Sequence, residues 1–221
     1  MDTFAPFAPT MVTDHRPGVA GVAPVGLRGL LAGAVGRSPV DADPGELASV
    51  EAIVVFDFGA LDAATRNGAG GGAISPVNAA LASVTDLVPA IPVLAQHESA
   101  QALAGRGRLV IDLEESAREA DGLAADAHVD TARVVDALAA LVDRAGWTSV
   151  GVVAHPAHMA RCVATCQRLG LRVTAAPTGH LAELWDPKSS QWWTRRPALW
   201  TAREVAVIAH HMVTGRVLLR W

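Results

Sequence analysis

Ser149-Val-Gly-Val-Val-Ala-His-Pro-Ala-His-Met-Ala-Arg161 decides how this chain reads. The small and β-branched residues from Ser149 to Ala154 make an apolar run of the length of a strand buried on both faces. Pro156 then suits the first turn of a helix, where its missing N–H is not needed. The pattern predicts strand, turn and helix, with His155, His158 and Arg161 gathered at the junction. In open α/β sheets that edge is where ligands bind, because helix N-termini offer unpaired N–H groups and partial positive charge.

Working outward, the same unit recurs. Ala52-Ile-Val-Val-Phe-Asp57 reads as a first strand, followed by the glycine-rich stretch Arg66 to Ala73 and a helix from Pro76 to about Val88. Ile91 to Ala95 gives a second strand and Glu98 to Ala104 a short helix; Arg108 to Leu113 gives a third strand. Asp130 is placed to cap a long helix from Thr131 to Arg144, whose Val134, Leu138, Leu141 and Val142 share one stripe. The helix after the fourth strand stops at Gly170, and Leu171 to Ala175 is a fifth strand. A connection carrying Trp185, Trp192, Trp193 and Trp200 leads to a last helix from Thr201 to Val213. Strands alternating with helices predict a Rossmann-like three-layer α/β sandwich with a mainly parallel sheet of about five strands. Residues 1–48, rich in Pro, Gly and Ala without a sustained period, read as an irregular extension to a domain over 49–221. A short helix over Val25 to Val35 is the one element expected there.

Composition narrows the function classes. The net charge of −4 comes with no basic block, which argues against general nucleic-acid binding. No run of 18 apolar residues and no secretory-type start point to a chain without a membrane span. The two cysteines, Cys162 and Cys166, stand four apart on one helix, a poor geometry for a disulfide. A cytoplasmic protein is the simplest reading. A metal site on His155, His158, Cys162 and Cys166 fails on reach, since His158 and Cys166 would be ~12 Å apart along a helix. The glycine-rich stretch fits neither the dinucleotide fingerprint nor the P-loop, and reads as a surface loop or a cover for a ligand. Ser99 and Ser116 are polar loop candidates, and no Gly-x-Ser-x-Gly elbow occurs.

With these elements in order, the chain resembles the SanA/YdcF/ElyC-like family from about Glu51 to Arg216. The resemblance rests on His158-Met-Ala-Arg161 after the fourth strand, on Arg168-Leu-Gly-Leu-Arg-Val-Thr174, and on Arg203-Glu204 in an apolar helix closing at Gly215. Glu98-Ser-Ala100 matches the family's Glu-Ala, and Gly59 its first-strand glycine. Ser75-Pro-Val-Asn78 stands where the family has an arginine, and its Thr-x-x-Asn is kept only as Thr131, with Val134 in the asparagine's place. The closest organisation is that of the soluble YdcF-like branch, for which the resemblance implies S-adenosylmethionine binding.

The chemistry expected of the site follows from side-chain type. Arg161 can fork two donors onto a phosphate or carboxylate, and His158, on the same helix face, can donate or shuttle a proton. Alternatively, Arg161 pairs with Glu98 or Glu204 inside the fold. Those carboxylates are candidates to orient the histidine, take a ribose hydroxyl or act as a base. His158, Glu98 and Glu204 are thus the candidate catalytic groups. Arg161, His155, Gly59, Thr131 and His97 are the candidate ligand contacts, with Trp185, Trp192 and Trp193 as an aromatic wall, lid or dimer contact. Together they predict a binder of an anionic metabolite, a nucleotide or S-adenosylmethionine, with hydrolysis or group transfer as the reaction class if chemistry occurs. A non-catalytic binding or scaffold protein that has lost the family's chemistry is the alternative.

Overall fold

The computed structural model describes residues 29–30, 32, 44–61, 73–123, 129 and 131–213. The glycine-rich stretch up to Gly72, the Asp130 cap, Gly215–Arg216 and nearly all of the N-terminal 43 residues lie outside that set. Within it, the chain runs α1 (Pro44–Leu47), β1 (Ala52–Val55), α2 (Pro76–Val84), β2 (Val93–Ala95), α3 (His97–Ala104), β3 (Val110–Asp112) and α4 (Leu113–Asp121). It continues α5 (Thr131–Ala145), β4 (Ser149–Val153), α6 (Pro156–Arg168), β5 (Arg172–Ala175) and α7 (Pro197–Val213).

The five strands form one parallel sheet in the order β3-β2-β1-β4-β5. Alternation along the strands explains the three layers. Ala52, Val54 and Phe56 face one way with Val150 and Val152, and pack under Leu113, Leu138, Met159 and Val163 from α4, α5 and α6. Ile53 and Val55 face the other way and meet Leu47, Val77, Leu81, Leu103 and Trp200 from α1, α2, α3 and α7. Both faces are covered, so the strands read as unbroken apolar runs rather than alternating ones. Gly151 is needed mid-strand because a Cβ there would come within 2.5 Å of Leu47 Cδ1 and 2.6 Å of Ile53 Cδ1.

Several expectations are corrected. The third strand is shorter than Arg108 to Leu113, because Asp112 ends it by accepting hydrogen bonds from the N–H groups of Glu114 and Glu115 and so starts α4. That helix was not expected. Ser116 sits on it and Ser99 on α3, so neither is a loop residue. The last helix begins at Pro197, which places Trp200 on α7 instead of the preceding connection. Pro44–Leu47, within the segment expected to be irregular, are helical, and Leu47 is fully buried in the core.

The strand order fixes where a ligand can approach. From β1 the chain winds outward through α2 and α3 on one face, then returns to β4 on the other side of β1 through α4 and α5. The loops after β1 and β4 therefore diverge at the switch point, the place on the carboxyl edge where open α/β sheets bind ligands.

Candidate functional site

Two polar groups line that edge, and the carboxylates expected to meet there are divided between them. On the β1–β2 side, Asp57 lies just past β1 and Glu98 in the first turn of α3. Asp57 accepts hydrogen bonds from the Glu98 N–H (3.0 Å), the Ser99 N–H (3.2 Å) and the Ser99 hydroxyl (2.5 Å). Burial pushes its carboxyl up to about 8 in spite of the Ser99 hydroxyl, with Glu98 and Glu114 adding to the rise. Glu98 accepts from the Leu61 N–H at 2.6 Å, the Ser75 N–H at 3.1 Å and the Asn78 amide at 3.0 Å. Asn78 in turn receives the Phe58 N–H and donates to the Gly59 carbonyl. Asp57 thus fills the mouth of α3, where an open α/β sheet often seats a ligand's anion, and Glu98 holds the residue that caps α2. Here the protein's own side chains take those places.

His97 and Asp112 extend this side across β2 and β3, 2.8 Å apart. Thr131 opens α5, on the opposite face from α2 and α3.

On the β4 side, His155, His158, Arg161 and Glu204 come together with the aromatic residues of three segments. His155 is fully enclosed: its Nδ1 accepts the Ala157 N–H and so caps α6, and its ring stacks on Phe58 with centroids 3.9 Å apart. Burial lowers its pKa to about 4. His155 therefore holds the start of α6 against Phe58, with its Nε2 unpaired. His158 is buried among Phe56, Phe58 and Trp200, with its Nδ1 unpaired. Burial, reinforced by Arg161 and Arg203, holds its pKa well below 6.5, so the ring is neutral at pH 7.

Arg161 chooses Glu204, with Nε 2.6 Å from Oε1. Arg203 approaches the same carboxylate, its Nη1 3.8 Å from Oε2, and lies over the rings of Trp193 (4.7 Å) and Trp200 (5.7 Å). Two guanidinium groups share one carboxylate. Arg203 is the residue that sequence reasoning passed over, since it was quoted only as the neighbour of Glu204. Its signal was available: from Pro187 to Arg203 the chain carries Lys188, Arg195, Arg196 and Arg203 and no acidic residue.

Compared with known proteins, the chain finds no counterpart: no family model matches it, nor does any curated protein or solved structure.

Gly59 locks the β1 loop to the 186–196 segment. Its φ is +81°, and a Cβ there would fall 2.6 Å from Thr194 Oγ1 and 2.7 Å from Ser189 Oγ. Nearby, the Ala60 carbonyl accepts the Ser190 N–H at 2.8 Å. Gly59→Ala is expected to lower stability by about 2 kcal/mol, through left-handed backbone strain and overpacking together. A urea unfolding midpoint unchanged from the parent would show that the two segments yield freely.

Proposed function

We propose that this chain binds a small anionic metabolite at the switch-point edge of the sheet, with Arg161 and Arg203 as its anion clamp. The observation that carries the reading is the shared carboxylate: Glu204 offsets only one of the two guanidinium charges, in a half-buried, aromatic-walled setting. Such a surplus positive charge attracts an anion more strongly than an exposed one would, because screening by water is reduced. The unpaired Nδ1 of neutral His158 adds a hydrogen-bonding group beside the clamp. Exposed Trp192, edge-on to Trp193 at 5.7 Å, offers a face to a flat ring. A nucleotide or an S-adenosylmethionine-like molecule suits that combination, in keeping with the resemblance to the soluble YdcF-like branch.

For Glu98, Glu204 and His158, these contacts favour binding over hydrolysis or group transfer. Glu98 is consumed by three internal donors, Glu204 gives one oxygen to Arg161, and His158 resists protonation. An acid–base catalyst needs a group that exchanges its proton near the working pH. A cytoplasmic setting belongs to the same proposal, supported by Cys162 and Cys166 standing buried as free thiols. No helix among the described residues is long and apolar enough to cross a membrane.

Calorimetric titration with nucleoside 5′-phosphates, S-adenosylmethionine and ribose 5-phosphate tests the proposal. Arg161→Ala and Arg203→Ala should each weaken binding at least ~10-fold, the loss of one charge-assisted contact. Heats equal to those of the parent in both variants would remove the clamp.

A further inference from the structure

Among the described residues, the two outer strands of the sheet are finished differently. At β5, Val173, Thr174 and Ala175 are buried and α1 packs alongside. At β3 no described strand lies beyond, Leu109 just before it is 91 % exposed, and Ile111 within it is 38 % exposed. Beside Ile111 runs an apolar groove of about 310 Å³, lined by Leu141, Arg144 and Ala145 of α5 and by Trp147 after it. An exposed apolar edge strand is a template for pairing with another chain.

The ladder determines which backbone groups of β3 are free to pair. The Ile53 N–H donates to the Pro92 carbonyl and the Gln96 N–H to the Val55 carbonyl, so Leu94, midway between them, also turns its N–H and C=O to β1. Val93 and Ala95 therefore turn theirs to β3, where the register sets Ile111 opposite Leu94 and between them. Val110, one residue back, then directs its N–H and C=O away from the sheet. Asp112 has less to offer, since its carbonyl accepts the Ser116 hydroxyl at 2.8 Å.

We infer that a second copy of this chain docks on the β3 edge, antiparallel and about a two-fold axis through Val110, to join the two sheets into one. A residue with both backbone groups turned outward can exchange two hydrogen bonds with its own copy in an antiparallel pair. That axis, fixed by the backbone alone, sets Leu109 of each copy directly opposite Ile111 of the other. Ile111 stands beside Leu94 on the face covered by α4 and α5, and alternation puts Leu109 on the same face. Each Leu109 thus enters the groove beside the other copy's Ile111. Knob and groove lie two residues apart, and the axis interchanges them.

The charges fit the same arrangement. Exposed Arg106 and Arg144 flank the amino end of this edge, and exposed Glu115 and Glu119 the carboxyl end. Antiparallel docking brings the arginine end of each copy to the glutamate end of the other. A strand of unrelated sequence would have to supply both knob and charges, whereas a second copy supplies them by symmetry.

Analytical sedimentation of the full chain tests the inference. The parent should sediment as a dimer at ~100 µM and dissociate on dilution, as small interfaces do. Leu109→Lys, at a site already 91 % exposed, should fold as the parent does and weaken association at least ~10-fold. Cysteine cross-linking reads the register. Across the axis the two Val110 Cα atoms would lie ~5.5 Å apart, within disulfide reach, and the two Leu109 Cα atoms ~8 Å apart, beyond it. With Cys162 and Cys166 buried, mild oxidation should link Val110→Cys into a covalent dimer and leave Leu109→Cys largely unlinked. A parent that stays monomeric, a Leu109→Lys variant that associates as tightly, or linking no better at 110 than at 109 overturns the inference.

Discussion

Glu98→Ala is expected to cost the fold about 4 kcal/mol, read as a drop in urea unfolding free energy at pH 7. The size follows from what is left behind. The Leu61 N–H, the Ser75 N–H and the Asn78 amide all donate to this carboxylate, which is 2 % exposed. Each buried donor left unpaired costs roughly 1–3 kcal/mol, less what entering water recovers. Glu98→Gln should fall between, near 2 kcal/mol, because the amide supplies one acceptor but turns its own donor towards groups that also donate. A loss below about 1 kcal/mol in Glu98→Ala would show that the donors have other partners and that Glu98 is free for work on a ligand.

That prediction separates two carboxylates that the sequence makes look alike. Glu98 follows an apolar strand, Glu204 opens an apolar helix, and each could face Arg161. Only the fold shows that Glu98 points back to the β1 loop, while Glu204 crosses from α7 to α6. No periodicity encodes that choice, since it depends on contacts between residues far apart in the chain. The sheet, by contrast, was legible. Parallel strands covered on both faces must be apolar throughout, so Ala52–Val55 and Ser149–Val153 stood out as runs. Helix α4 was hidden because only Leu113 and Ala117 of its nine residues are buried, too few to make a stripe. Its signal lay in the cap, Asp112 followed by Glu115 three residues on, a pattern that announces a helix start without any apolar period. The depth of His158 was equally unreadable, because Phe56, Phe58 and Trp200 reach it from different segments.

Phe58→Ala should destabilise the protein by a similar amount, about 4 kcal/mol, and should also change how it responds to acid. Phe58 is fully buried just past β1 and is the ring against which the β4 side is assembled. His155 stacks on it at 3.9 Å, Trp200 tilts against it at 4.6 Å and Trp185 meets it edge-on at 5.2 Å. Truncation opens a cavity that these groups, anchored on α6, α7 and the 179–185 segment, cannot close together. Phe58→Leu, which keeps most of the volume, should cost nearer 1.5 kcal/mol. The acid response follows from His155. Its neutral, enclosed ring contributes stability that is complete above about 6.5 and lost as pH falls through about 4. Water admitted by Phe58→Ala removes part of the desolvation, so the His155 midpoint should climb back towards 6.5. The stability lost between neutral and acid pH then shrinks, and because the two rings stack on each other, a variant carrying both Phe58→Ala and His155→Asn should be less damaged than the two single losses added. Strict additivity, with His155 still titrating near 4 beside an alanine, would mean that the aromatic ring is not what keeps solvent from the β4 side of the sheet edge.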